Sequence, residues 1–150
     1  MQKRPRNKQP EQELYKALSR YLSMQHPKLL WRFDFAAGTK MTMGQVARHK
    51  LLNPHRGWPD LVIFEQRKGW GALVIEIKAE GNSPYKKDFE LKKDQHLEEQ
   101  AAMLERFSEL GYYAAFATGF DECVAIIEKY LKLENDPRLI ILSKTLGLHL

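Results

Sequence analysis

Asp60, Glu76 and Lys78 stand where a pair of β-strands would ordinarily carry apolar side chains. They lie in GWPDLVIFEQRKGWGALVIEIKAEG, residues 57–81. Two apolar runs there flank a polar loop bearing glycine, the pattern of a hairpin. If the 65–71 loop closes so that Phe64 faces Ala72, paired residue numbers keep a constant sum and Asp60 falls opposite Glu76. Directly opposed residues project from one face with Cβ atoms about 4.5–5.5 Å apart. Lys78, two residues beyond Glu76, shares that face. Leu61, Ile63, Leu73, Ile75 and Ile77 fall on the other face and read as core. Val62, Phe64 and Val74 make the reactive face apolar as well, so the hairpin is expected to be covered on both sides.

Two facing carboxylates repel, and burial strips their hydration too. A divalent cation between them removes the conflict, and hard oxygen ligands favour Mg²⁺ or Mn²⁺ over zinc. Such a cation acidifies a water molecule and offsets the charge of a phosphate. Lys78 beside it can position that water or stabilise developing negative charge. The competing reading is a surface pair of acids neutralised by Lys78. A slip of one residue in the register would separate the acids altogether.

These side chains need elements to hold them. A helical pattern starts at Pro10 and Glu11, with Leu14, Ala17, Leu18, Tyr21 and Leu22 on one face. It should stop near His26-Pro27, because a residue before proline avoids the helical conformation. Residues 29–35 (LLWRFDF) read as a strand, residues 36–56 as a polar, basic segment with a short helix around Met43–Leu52, and strands follow at about 60–64 and 72–79. After a loop over 81–92, Lys93–Leu110 reads as a helix ended by Gly111. Tyr112–Thr118 is a further strand, and Asp121 is expected to cap a helix that runs to about Leu133, with Pro137 beyond it. The order is that of a mixed α/β domain around a small sheet.

Pro59-Asp60 followed by Glu76-Ile77-Lys78 resembles the PD-(D/E)XK pattern of restriction-endonuclease-like nucleases. The runs RGWPDLVIF, LVIEIKAEG and EEQAAMLERFSELGYYAAFATGFDECVAII are similar, in that order, to the VRR-NUC nucleases, particularly the short stand-alone phage and bacterial type. The resemblance runs from about Glu11 to Leu133. It implies an αβββαβ core and a divalent-metal-dependent DNA endonuclease. Structured or branched DNA would be the substrate, Mg²⁺ or Mn²⁺ the cofactor and a homodimer the working form. It also implies that Gln100 joins Asp60, Glu76 and Lys78 in the catalytic set. Gln100 stands eleven residues before Gly111, whereas the spacing of Gln95 is wrong. The metal ligands implied are Asp60, Glu76, the backbone carbonyl of Ile77 and an acid on the first helix. Glu11 fits the E-x-x-L pattern there, with Glu13 as the alternative. The V-R-R signature itself is missing, and Trp58 stands where related members often have small residues. These departures leave the substrate open.

The rest of the sequence sets bounds. A chain of 150 residues with 43% apolar and 29% charged composition suits one domain with a real core. No apolar run approaches the roughly 18 residues that span a membrane, and MQKRPRNKQP has no apolar stretch of a secretory signal. The single cysteine, Cys123, lies on an apolar helix face and reads as core. A cytoplasmic location follows from these features, and the resemblance implies that the cell is a bacterium or a phage-infected host. Residues 1–10 form a basic tail and 11–150 a single domain, with a strand-like LIIL in the stretch 137–150. A net charge of +5 permits nucleic-acid binding without demonstrating it. Lys40, Arg48, Lys50 and Arg56 precede Asp60 and form a candidate phosphate-contacting cluster, and His96, one turn before Gln100, is a further candidate. His49 and His55 lack a third nearby ligand and do not read as a zinc site. The tryptophans, Trp31, Trp58 and Trp70, read as packing or loop cover. The rival to a nuclease is a DNA-binding module that kept the fold without catalysis. A third reading is an unrelated α/β protein with a chance motif.

Overall fold

The computed structural model describes residues 10–34 and 40–134. The basic tail over 1–9, Phe35, Pro137 and the LIIL run lie outside the described residues. Helix α1 (Pro10–Gln25) ends immediately before His26-Pro27, where proline forbids its continuation. Its Leu14, Leu18 and Leu22, four residues apart, form the buried stripe. Strand β1 (Trp31–Phe33) is shorter than the apolar run that announces it. Helix α2 (Met43–Leu52) starts at a capping box of Thr42 and Gln45 and buries none of its residues.

Strands β2 (Leu61–Ile63) and β3 (Leu73–Lys78) follow, then helix α3 (Gln95–Glu109), strand β4 (Tyr113–Thr118) and helix α4 (Gly119–Leu131). The sheet order is β1-β2-β3-β4, antiparallel across the first three strands and parallel between β3 and β4. Two helix starts differ from the sequence reading. Asp94 accepts the Leu97 N–H at 3.0 Å and so caps α3, which starts at Gln95, two residues beyond Lys93. Helix α4 opens at Gly119 with Thr118 in the cap position, not Asp121. The Glu122 carboxylate reaches back to accept the Thr118 N–H at 2.8 Å, and Asp121 sits with it in the first turn. There both acids complement the positive end of the helix dipole. The helix closes at Leu131 rather than Leu133.

The β2–β3 register pairs Leu61 with Ile75, Val62 with Val74 and Ile63 with Leu73, each pair summing to 136. Continued one step, it sets Asp60 opposite Glu76. The turn beyond obeys a different count. Arg67 bridges Trp70, a sum of 137, around Lys68 (φ 47) and Gly69 (φ 84). Positive φ at both central residues gives the twist a tight hairpin needs. Between the last strand pair and the bridge, three residues (64–66) oppose two (71–72). A one-residue bulge therefore reconciles turn and strands. It turns Phe64 out to 55% exposure, contrary to the expected cover on that side. Helix α4 braces the bulge: the Tyr130 hydroxyl donates to the Glu65 carbonyl, and Arg67 Nε donates to the Leu131 carbonyl at 3.2 Å.

One face of the sheet, with Leu61, Ile63, Leu73, Ile75 and Ile77, packs against the leucines of α1 and against Cys123, Ile127 and Tyr130 of α4. The other face is smaller. Val74 and Phe116 meet Leu104 of α3 there, with Val62, Leu91 and Phe107 partly buried around them.

Candidate active site

The smaller face gives way to polar side chains at one end of the sheet. Asp60, at the bend before β2, is 9% exposed. Its backbone carbonyl still accepts the Asp34 N–H at 2.8 Å, so the edge toward β1 continues. On the side toward β3, Pro59 stands opposite Ile77 by the same register. A proline has no N–H to give the Ile77 carbonyl. The Ile77 N–H instead donates to Asp60 Oδ2 at 2.7 Å. Strand residues point N–H and C=O to the same side. The Ile77 carbonyl therefore faces the edge where Asp60 lies, with no ladder donor from Pro59. Tyr15 of α1 donates its hydroxyl to Asp60, and its ring packs on Phe33 with centroids 5.2 Å apart.

Glu76 is 3% exposed and Gln100 5%. The Gln100 amide donates to Glu76 Oε1, and its carbonyl oxygen accepts Lys78 Nζ at 2.7 Å. Lys78 Nζ also reaches Glu76 Oε1 at 3.5 Å. The three side chains thus close a ring of hydrogen bonds, with Glu76 Oε1 taking two donors. Gly57 fixes the distance between this loop and α3. Its φ is +73, and a Cβ there would come within 2.9 Å of the Glu99 carbonyl oxygen. Only glycine lets the chain pass so close to the backbone that carries Gln100.

Burial drives the electrostatics. Desolvation and the neighbouring Asp60 carboxylate push Glu76 up to about 9, against the partial relief of Lys78. Asp60 is raised as well, mainly by burial, and the Ile77 N–H and the Tyr15 hydroxyl hold it back. Without a cation, the pair keeps a proton that two solvated carboxylates would have lost. Burial and the negative charge of Asp60 push the Tyr15 phenol up in turn, so it remains a donor.

Glu76 Oε2 supplies the test for a metal. It is buried and accepts no hydrogen bond from the protein. A buried carboxyl oxygen without a donor beside a second carboxyl fits a hard divalent cation, which would take the place of the shared proton. Asp60, Glu76 and the Ile77 carbonyl fit this chemistry together. Among the described residues no three histidine, cysteine or acidic side chains are gathered closely enough to hold a metal by themselves. Glu11 is exposed on α1, near enough that its charge acts on Tyr15, while Glu13 is exposed and pairs with Lys16 at 3.2 Å. The first helix therefore presents Glu11 toward the site, not drawn into it.

The remaining candidates are dispersed. Gln95 is exposed and bonds Glu99 at 3.3 Å, outside the ring that Gln100 completes. His96 is exposed on the turn before Gln100 and does not join the cluster. Lys40 and Arg48 line a recess of about 280 Å³ along α2, together with His49 and Leu52. Lys50 and Arg56 are exposed outside it. Tyr15 is the residue the sequence reading missed. Its signal is position: it follows Glu11 by four residues and so shares the same helix flank.

The fold agrees with what is found among known proteins. A solved structure described as a VRR_NUC domain protein superposes with a TM-score of 0.57 at 26% identity, over 85% of this chain and 93% of that one. No protein-family model and no curated protein matches the chain. The α/β architecture is restriction-endonuclease-like, and the family the sequence resembles is the one to which this structural neighbour is ascribed.

Proposed function

We propose that the chain is a Mg²⁺- or Mn²⁺-dependent DNA endonuclease that hydrolyses phosphodiester bonds, with structured or branched DNA as its substrate. The observation that carries this reading is Glu76 Oε2, an acidic oxygen buried without a donor beside the Asp60 carboxyl. Asp60, Glu76 and the Ile77 carbonyl would hold the cation, and Glu11 would complete its shell by turning inward from the flank of α1. When bound, the cation would acidify water and offset charge on the phosphate under attack.

The protein's own groups do the rest. Lys78 places a positive charge beside Glu76, where it can hold the attacking water and stabilise negative charge as it develops. Gln100 positions both partners, donating to Glu76 and accepting from Lys78. Tyr15 and the Ile77 N–H fix the Asp60 carboxylate. Lys40, Arg48, Lys50 and Arg56 would neutralise phosphates leading to the site, and His96 would meet a phosphate at the mouth of α3. A homodimer would offer two such sites to two strands. No helix among the described residues is long and apolar enough to cross a membrane.

The test is cleavage of matched linear, nicked, flap and four-way DNAs in Mg²⁺ and in Mn²⁺, with Asp60→Ala and Lys78→Ala beside the wild type. Both variants are expected to bind DNA and cut none of it. Full cleavage by either would remove the assignment. A binding module without catalysis is favoured by one observation, the exposed Glu11. It predicts salt-sensitive binding and no cutting by the wild type.

A further inference from the structure

The segment joining β3 to α3 makes a small hairpin of its own, closed by a bridge between Tyr85 and Leu91. Its base is anchored. Pro84 is fully buried, the Tyr85 ring stands edge-on to Phe116 with centroids 5.9 Å apart, and Leu91 packs into the cluster of Val74, Leu104 and Phe116. Phe116 is the register partner of Glu76, so the hairpin rises from the end of the sheet that carries Glu76 and Lys78.

The tip is a built turn. The Lys86 N–H donates to the Glu90 carbonyl at 2.8 Å, the Phe89 N–H to the Lys86 carbonyl at 3.0 Å and the Glu90 N–H to Asp88 Oδ1 at 3.2 Å. These bonds hold Phe89 at φ +66, a left-handed conformation that strains a bulky residue. The ring gains little from packing in return, since Phe89 is 88% exposed. A fold in need of that turn alone would be better served by glycine. Residues 81–93 carry four lysines against two acids. Lys86 and Lys87 adjoin the tip, while Lys92 and Lys93 lie at the base.

We propose that Phe89 is a stacking finger for an unpaired nucleobase, steadied by the neighbouring lysines on the flanking phosphates. A flat aromatic face accepts any base, but only a base free of its stack can reach it. The finger therefore directs nucleic acid to the adjoining site at a single-stranded or distorted position. The inference rests on the nuclease reading and adds the element that selects the substrate.

Binding of the full chain to two DNAs of equal length tests it, one fully paired and one ending in a single-stranded flap. Fluorescence anisotropy in EDTA gives the affinities without cutting, and 2-aminopurine in the flap reports stacking by its quenching. Phe89→Gly is the decisive variant, because glycine tolerates the turn and should melt at the same temperature or higher. Its affinity for flap DNA is expected to fall about fivefold or more with loss of the quench, while paired DNA changes by less than about twofold. Phe89→Trp should restore both signals. Equal binding of flap DNA by Phe89→Gly and wild type, an equal loss on both DNAs, or no binding by the wild type would overturn the proposal. A lower melting temperature for Phe89→Gly would assign the ring to the fold instead. Wild type that binds and quenches flap DNA yet cuts nothing in Mg²⁺ or Mn²⁺ would sink the nuclease reading and leave the finger in place.

Discussion

The two faces of β3 carry the same strand to opposite ends. Leu73, Ile75 and Ile77 point into a wide apolar layer under α1 and α4, where each is almost wholly buried. Val74, Glu76 and Lys78 alternate with them toward α3, and after one valine the apolar character stops. The first face is stabilised by what it removes from water. The second is buried nearly as deeply, yet its acid, Glu76, is destabilised by the same removal. Stability and function thus share a strand through alternation alone, and changes on the two faces should have opposite signs.

Glu76→Gln puts that contrast to its hardest test. It keeps the shape of the side chain but removes the charge that burial opposes. Cleavage is expected to fall by at least about a thousandfold, while the metal-free protein becomes more stable, since an uncompensated buried acid is lost. A lower melting temperature would show that the acid supports the fold. Leu22→Ala is the converse. It is expected to cost about 2–5 kcal/mol in denaturant unfolding, with cleavage per folded molecule unchanged at a temperature where the variant remains native.

Acidity sharpens the comparison next. Glu76 titrates near 9 in the folded chain against an ordinary 4.5. Between those values the folded state holds a proton that the unfolded state has released. Stability without metal should therefore fall as pH rises from about 5 to about 9. Melting curves in EDTA across that range are expected to show the decline. Glu76→Gln should flatten it, and added Mg²⁺ should do the same by replacing the proton.

Tyr15→Phe is expected to have a smaller effect. The ring still packs on Phe33, but Asp60 loses one of its donors. The Mg²⁺ concentration for half-maximal cleavage should rise a few-fold with little change in melting temperature. An unchanged metal dependence would reduce Tyr15 to packing. Least of all, Lys50→Ala should weaken DNA binding by about twofold or less and lower its salt dependence by about one ion.

Much of this arrangement is legible in the residues themselves. The pairing of Asp60 with Glu76 follows from alternation in two short apolar runs, and the structure keeps the same register. The end of α1 follows from His26-Pro27, because proline acts on its immediate neighbour. What escaped depends on contacts between distant segments or on rival caps of equal chemistry. Asp121 and Thr118 are both suitable cap residues by type, yet the helix opens after Thr118 without a bond from its side chain, and Glu122 takes the Thr118 N–H instead. Phe64 reads as buried by alternation, but the bulge breaks that alternation. Tyr15 meets Asp60 across 45 positions of sequence, and its place on the Glu11 flank gives its side of the helix but not that partner. Glu11 is legible as an acid of the right helix, but its distance from Glu76 is a matter of packing.

The bulge at residues 64–66 is what keeps the candidate site in register. With the Lys68–Gly69 turn kept in place, smoothing the bulge without losing a residue would carry the sum of 137 along the whole hairpin. Asp60 would then be level with Ile77 and directed into the oily layer beneath the sheet. Substitutions at 64–66 can drift, since Phe64 already faces water. So can a single deletion, which sets two residues against two and keeps Ile63 opposite Leu73, whereas an added residue would need a larger bulge to do the same.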